Sequence, residues 1–176
     1  RQLVEFEHGD GIDVVLGGGR SVFFPGSESD PEQPDSTGVR GDQRNLISEW
    51  LQGRSDRHYV WNRSELNSLP ESGQVIGLFE PSHMQFEADR LADTGGEPSL
   101  AEMVNFALKR LDGTQGYFLM VEGGRIDHAH HAGNAYRALV DTVAFSDAVQ
   151  AAVDATDSND TLIIVTADHS HTLTMS

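Results

Sequence analysis

The sequence predicts an α/β fold, a three-layer α/β/α sandwich with a mostly parallel central sheet, and two observations support this prediction. The first is a set of short, apolar runs of strand length, which are typical of parallel strands buried on both faces. These runs lie at Ile12–Leu16, Tyr117–Val121 and Thr161–Thr166. The second is that the runs alternate with segments of helical periodicity, an order that places helices on both faces of a parallel sheet.

The other elements follow from periodicity and from local end signals. The stretch Ser27–Gly41 is rich in Ser, Asp, Pro and Gly, and we expect it to be an exposed loop. The remaining predictions are a helix at Asn45–Arg54, strands at Tyr59–Trp61 and Val75–Phe79, a helix from Ser99, and a long helix at Ala135–Ala155. The start of the Ser99 helix is well defined because Ser99 and Glu102 form a capping-box pattern.

Composition and charge limit the classes of function. The 176 residues fit one domain, and 28 acidic residues outnumber 12 basic ones, for a net charge of −16. Such a surface repels nucleic acid and anionic membranes, so neither is an expected partner. No run approaches the roughly 20 apolar residues that a membrane span needs. The charge suits either a halophilic source, where salt screens self-repulsion, or an ordinary acidic secreted protein.

Metal-ligand residues cluster in two short stretches. The chain has no cysteine, so any metal site must use His, Asp and Glu. Five of the eight histidines lie in two segments, Glu122–His131 and Asp168–His171, each of which follows a predicted buried strand. Because open parallel sheets bind ligands at the carboxyl ends of their strands, we expect the two segments to meet.

The spacing within these segments indicates metal binding. Asp127 and His131 are four residues apart, so on a helical turn both project from one face and can bind one ion. Asp168 and His169 are adjacent and can converge on an ion where a strand ends. Glu122 has no histidine partner, and a lone carboxylate suits Mg²⁺. One Asp-x-x-x-His pair is more often a surface pair than a ligand set, but two sets that both follow apolar strands favour metal binding.

At these residues the sequence resembles the alkaline phosphatase family, in its animal-type branch. VEGGRIDHAHH and TADHSH look like the two metal motifs of that family, and IDVVLGGGR, YVWNR, GLFEP and AYRAL extend the similarity over nearly the whole chain. The resemblance implies two Zn²⁺ ions and one Mg²⁺ ion. The matching ligands are Glu122 for magnesium, Asp127 and His131 for the first zinc, and Asp168 and His169 for the second zinc.

Further residues take roles only through this resemblance. His171 matches a histidine that steadies the carboxylate of Asp127, and His128 matches one that acts near the magnesium through water. His130 has no assigned role. The resemblance also implies a structural Ca²⁺, held by oxygen atoms. Its ligand pattern falls on Glu32, the carbonyl of Phe79, Glu80 and Glu97, and an acidic loop without an ion is the alternative.

The resemblance identifies residues 1–176 as the central portion of a single alkaline phosphatase domain. In it, the acidic loop 27–41 and the segment 59–98 are expected to form an insertion or calcium-binding region. No catalytic residue is assigned in this chain. The nucleophilic serine is expected upstream of Arg1 and a third zinc ligand, a histidine, downstream of Ser176, so the 176 residues alone should be inactive.

The implied activity is the hydrolysis of small phosphate monoesters by a periplasmic or extracellular enzyme. Two alternatives remain at this point: a phosphodiesterase or sulfatase of the same superfamily, and a non-catalytic, metal-stabilised relative. The identity of the upstream nucleophile would separate the enzymes, and phosphate release by the complete chain would exclude the non-catalytic relative. The sequence leaves the oligomeric state open, a homodimer included.

Overall fold

The structure is a computed structural model that describes residues 1–111, 113 and 116–172. It divides into two compact units. The first unit contains residues 1–84 and 92–98, and the second contains residues 85–91 and the described residues from 99 onward.

The first unit is built on a parallel sheet of three strands. These are β1 (Val14–Gly17), β2 (Arg57–Val60) and β3 (Gln74–Leu78). They are arranged in the order β1-β3-β2, so β3 is central and Ile76 lies between Val15 and Tyr59. Every residue of β3 is buried, as expected of a central parallel strand that is covered on both faces. The predicted α/β class with a parallel sheet is confirmed.

Helix α1 (Leu46–Leu51) packs against this sheet. It begins at Asn45, whose side-chain oxygen accepts a hydrogen bond from the backbone N–H of Ser48 at 2.8 Å. Its apolar face joins residues of β3 and of the segment after β1 in one core, whose buried members are Phe23, Leu46, Ile47, Trp50, Ile76 and Leu78. A short helix, α2 (Arg63–Asn67), follows β2.

The turn after β1 requires a glycine. A Cβ atom at Gly18 would lie 2.2 Å from the carbonyl oxygen of Ser82, and the next amide, that of Gly19, donates to the same oxygen at 2.5 Å. The glycines therefore allow two backbone segments to approach closely, directly before the buried Arg20.

The second unit is helical in its described residues. Its helices are α3 (Leu100–Leu111), α4 (Arg125–His131) and α5 (Ala135–Ala155). The capping box at the start of α3 is confirmed, because Ser99 Oγ accepts from the amide of Glu102 at 3.2 Å and the Glu102 carboxylate accepts from the amide of Ser99 at 2.8 Å. The bounds of α5 are those predicted. Helices α3 and α5 share a small core of Val104, Leu108 and Ala148.

Two predicted strands are wrong in the described residues. Tyr117–Val121 and Thr161–Thr166 have no strand assignment and are largely exposed, with Phe118 at 92% and Leu162 at 83%. Apolar composition shows what a segment can bury, whereas a strand also needs a neighbour for its backbone hydrogen bonds. The described sheet pairs only β1, β2 and β3. Among the described residues, no helix combines the length and the hydropathy needed to cross a membrane.

Candidate metal centre

Helix α4 presents one face of potential ligands. It begins after Gly124, and its seven residues place Asp127, His130 and His131 at positions i, i+3 and i+4, which lie on one side of a helix. Ala129 is fully buried, whereas the side chain of His131 is 69% exposed. The helix is therefore buried at Ala129, while the side chains of the potential ligands stay accessible.

Contacts within the second unit hold α4 in place. Two arginines make cation–π contacts with the ring of Phe86. The guanidinium carbon of Arg125 lies 3.7 Å from the ring centroid, and that of Arg137 lies 4.9 Å from it. Asp141, a buried carboxylate of α5, accepts from the backbone N–H of Glu87 at 3.3 Å. These contacts fasten the segment 85–91 to both α4 and α5.

Three histidines converge on one carboxylate oxygen. His171 Nε2 donates to Oδ1 of Asp127 at 2.7 Å, and the Nε2 atoms of His131 and His169 lie 3.4 and 3.5 Å from the same oxygen. The hydrogen bond from His171 holds the pKa of Asp127 below its ordinary value, and the nearby imidazoles act in the same direction. Imidazole and carboxylate groups at these distances form a normal donor set for zinc.

The histidine rings also pack on one another. The rings of His130 and His171 are nearly parallel, with centroids 4.8 Å apart and an interplanar angle of 13°. The rings of His131 and His169 each meet His171 edge-on at 4.9 Å. His130 Nδ1 lies 2.8 Å from the carbonyl oxygen of Ile126. Sequence reasoning assigned no role to His130, although its i+3 spacing from Asp127 was a usable signal.

Other predicted site residues lie outside this convergence. The side chain of Asp168 is 91% exposed, and its Oδ2 atom is 3.7 Å from His169 Nε2. Glu122 is exposed. Among the described residues, neither carboxylate belongs to a group of three ligand side chains within 4.8 Å of one another. His128 Nδ1 lies 3.0 Å from Arg125 Nη1, and because a guanidinium can only donate, His128 accepts there.

A second group, in the first unit, consists of carboxylates. Oxygen atoms of Glu32, Glu80 and Asp93 lie within 4.8 Å of one another. Two of the predicted calcium ligands, Glu32 and Glu80, therefore come together, with Asp93 as a member that sequence reasoning missed. Glu97 is buried but is not in the group, and Phe79 is the buried residue before Glu80. The usable signal for Asp93 was its turn, in which the side chain accepts from the amide of Gly96.

Arg20 partly balances the charge of this group. Its buried guanidinium donates to Glu32 at 2.7 Å and, through two nitrogens, to Asp30 at 2.7 Å each. Burial raises the pKa of Glu32, and the adjacent Asp93 raises it further against the opposing effect of Arg20. A proton or a cation between the carboxylates would relieve this repulsion.

The parallel sheet and the helix-borne cluster of imidazole and carboxylate groups define an α/β protein with a candidate metal centre. The alkaline phosphatase family model matches residues 2–176. The chain is 43% identical over 179 residues to alkaline phosphatase of Gadus morhua, covering 97% of this chain and 37% of that protein. It is 41% identical over 179 residues to membrane-bound alkaline phosphatase of Bombyx mori, covering 98% of this chain and 32% of that protein.

A solved structure of an alkaline phosphatase is also similar to this chain. Thermus thermophilus alkaline phosphatase matches with a TM-score of 0.67 and 32% identity, over 88% of this chain and 28% of that one. The chain belongs to the alkaline phosphatase family. It spans about a third of the length of the curated relatives it matches.

Proposed function

We propose that the protein hydrolyses small phosphate monoesters as an alkaline phosphatase. The observation that carries this proposal is the convergence of His131, His169 and His171 on Oδ1 of Asp127, in a chain that belongs to this family. The family and the site support each other, because the clustered side chains are the types that a divalent-metal hydrolase needs.

The donor set of the cluster fits zinc. In a chain without cysteine, Asp127 and His131 would hold one Zn²⁺, and Asp168 and His169 would hold a second. These two pairs approach each other, since His169 Nε2 is 3.5 Å from the Asp127 carboxylate. Glu122 would hold Mg²⁺. When bound, such ions supply Lewis-acid stabilisation of a phosphoryl group and lower the pKa of a bound hydroxyl.

The residues of this chain orient that site. His171 donates to Asp127 and so fixes the plane of a carboxylate that must meet an ion. Because His128 Nδ1 accepts from Arg125, the ring proton of a neutral His128 lies on Nε2. We assign no nucleophile among these 176 residues. The family resemblance implies a serine from outside them.

We further propose that the carboxylate group of the first unit binds Ca²⁺ within the region formed by 27–41 and 59–98. Glu32, Glu80 and Asp93 would supply side-chain oxygens, and the Phe79 carbonyl and Glu97 are the remaining expected ligands. Hard oxygen donors of this kind suit calcium. A periplasmic or extracellular location, where calcium is abundant, completes the proposal.

Replacement of Asp127 by alanine in the full-length protein tests the zinc site. We expect loss of one equivalent of bound zinc and of most of kcat, because the carboxylate on which the cluster converges is removed. Metal content after dialysis and release of phosphate from a small monoester are the two measurements. Asp35→Ala, at an exposed carboxylate of the acidic loop, is the control. Full zinc content with a near-normal rate in Asp127→Ala would refute the assignment.

A further inference from the structure

We propose that His130 is a positioning residue for the candidate zinc site. Its ring holds the ring of His171 against α4, and His171 in turn sets the orientation of the Asp127 carboxylate. This inference rests on the proposed function, because it concerns the same site.

The ring of His130 is tied to the helix backbone. Its Nδ1 atom lies 2.8 Å from the carbonyl oxygen of Ile126, four residues earlier. Because a carbonyl oxygen only accepts, Nδ1 carries the proton in this contact. The hydrogen bond restricts rotation of the ring about its side-chain bonds, so the helix itself fixes the plane that His130 presents.

That plane matches the plane of His171. The two rings are 4.8 Å apart at an angle of 13°, which is a stacked contact. In the described part of the chain, residues 162–170 are all exposed and carry no strand assignment. The contacts that the structure gives the His171 side chain are with His169 and with residues of α4, namely Asp127, His130 and His131. Helix α4 is therefore the platform for this side chain.

The consequence reaches Asp127 through one hydrogen bond. His171 Nε2 lies 2.7 Å from Asp127 Oδ1, so the tilt of the His171 ring decides where the carboxylate plane points. Partners that orient a metal ligand in this way change metal affinity by about ten- to a hundredfold when removed. We place His130 as acting through its neighbour and not as a ligand, because its Nδ1 proton is bound to the Ile126 carbonyl and its ring face lies against His171.

The experiment measures Zn²⁺ binding to the metal-free, full-length protein by calorimetric titration at one fixed pH. His130→Leu keeps a similar volume but removes the flat ring, and we expect it to weaken zinc binding by about tenfold or more. His130→Phe keeps a ring that can stack and should bind more tightly than the leucine variant. His8→Ala, at an exposed histidine of the first unit, is the control and should bind as wild type does.

A double-mutant cycle identifies the route. If His130 acts through His171, then His130→Leu combined with His171→Ala should bind zinc no more weakly than His171→Ala alone. Losses that multiply in the double variant, or wild-type affinity in His130→Leu, would overturn the proposal. Should the leucine variant not fold by circular dichroism, His130→Gln carries the test with the same expectations, because it also lacks the ring.

Failure of this inference is distinguishable from failure of the proposed function. Full zinc content in Asp127→Ala would reject the site itself. If Asp127→Ala loses one zinc equivalent while His130→Leu binds zinc with wild-type affinity, only the role of His130 would be rejected.

Discussion

Replacing the buried Arg20 by methionine should destabilise the first unit. The guanidinium is fully buried and donates to Asp30, to Glu32 and to the carbonyl oxygen of Leu78, at 2.7 to 2.9 Å. Methionine fills much of the same volume but offers none of these donors. Two carboxylates, whose side chains are only 4% and 5% exposed, would lose their cation.

The expected cost is about 3 kcal/mol at neutral pH. Removing one partner of a buried ion pair costs about 3–5 kcal/mol, because the other charge stays buried and uncompensated. The lower end applies here, since Asp30 still accepts from the backbone amides of Glu32 and Gln33 at 3.0 Å each.

The pH dependence provides a second check. Burial alone would raise the pKa of Asp30, but the hydrogen bonds from Arg20 and from two backbone amides outweigh it and hold the pKa below its usual value. A carboxylate with a lowered pKa stabilises the folded state above its unfolded pKa, and this contribution is lost as the pH falls through the folded pKa. The difference between wild type and Arg20→Met should therefore shrink below about pH 4.

Urea unfolding followed by tryptophan fluorescence measures the effect. Both tryptophans of this chain, Trp50 and Trp61, lie in the first unit, and the Arg20 guanidinium is 5.5 Å from the Trp61 ring. Arg54→Met is the matched control, because it breaks an exposed pair with Asp56, which solvent screens, and should change stability far less than Arg20→Met does. A cost for Arg20→Met that is no larger than for this control would refute the reasoning.

Two further predictions concern ions. Ca²⁺ should raise the unfolding temperature of the wild type but not of Glu80→Gln, which lacks the buried carboxylate of the group. Glu7→Gln, at an exposed carboxylate, is the control and should respond to Ca²⁺ as the wild type does. An unfolding temperature of the wild type that does not change with Ca²⁺ would exclude the site. The chain carries a net charge of −16, so its acidic groups repel one another in the folded state. Raising NaCl from about 0.1 M to about 1 M shortens the screening length from roughly 10 to 3 Å. The added salt should therefore also raise the unfolding temperature. Maximal stability in low salt would argue against a halophilic source.

Elements with local signals were predictable from the sequence. The bounds of α5 and the capping box at Ser99 agree with the structure, because a helix and its cap depend on residues three or four positions apart. The strands β2 and β3 were predicted within two residues of their observed bounds. The residue types of the candidate ligands were equally predictable, since a chain without cysteine offers carboxylates and imidazoles to an ion such as zinc.

Features that depend on distant neighbours were not predictable. The apolar run Tyr117–Val121 has the composition of a buried strand, yet the described residues give it no hydrogen-bonded partner and leave it exposed. Asp93 joins Glu32 across 61 positions of sequence, and periodicity contains no information about such a pair. The prediction treated Asp168 and His169 alike, whereas the structure turns only His169 towards Asp127.

The difference between the features that the sequence predicts and those that it does not has one physical origin. The backbone hydrogen bonds and side-chain caps of a helix are made between neighbours in the chain. The order of residues therefore determines that α4 forms, and it places Asp127, His130 and His131 on one face of that helix. The hydrogen bond between Asp127 and His171 joins residues 44 positions apart, and it forms only because the packing of the second unit brings two separate segments together. Tertiary packing alone therefore decides which oxygen the histidines share.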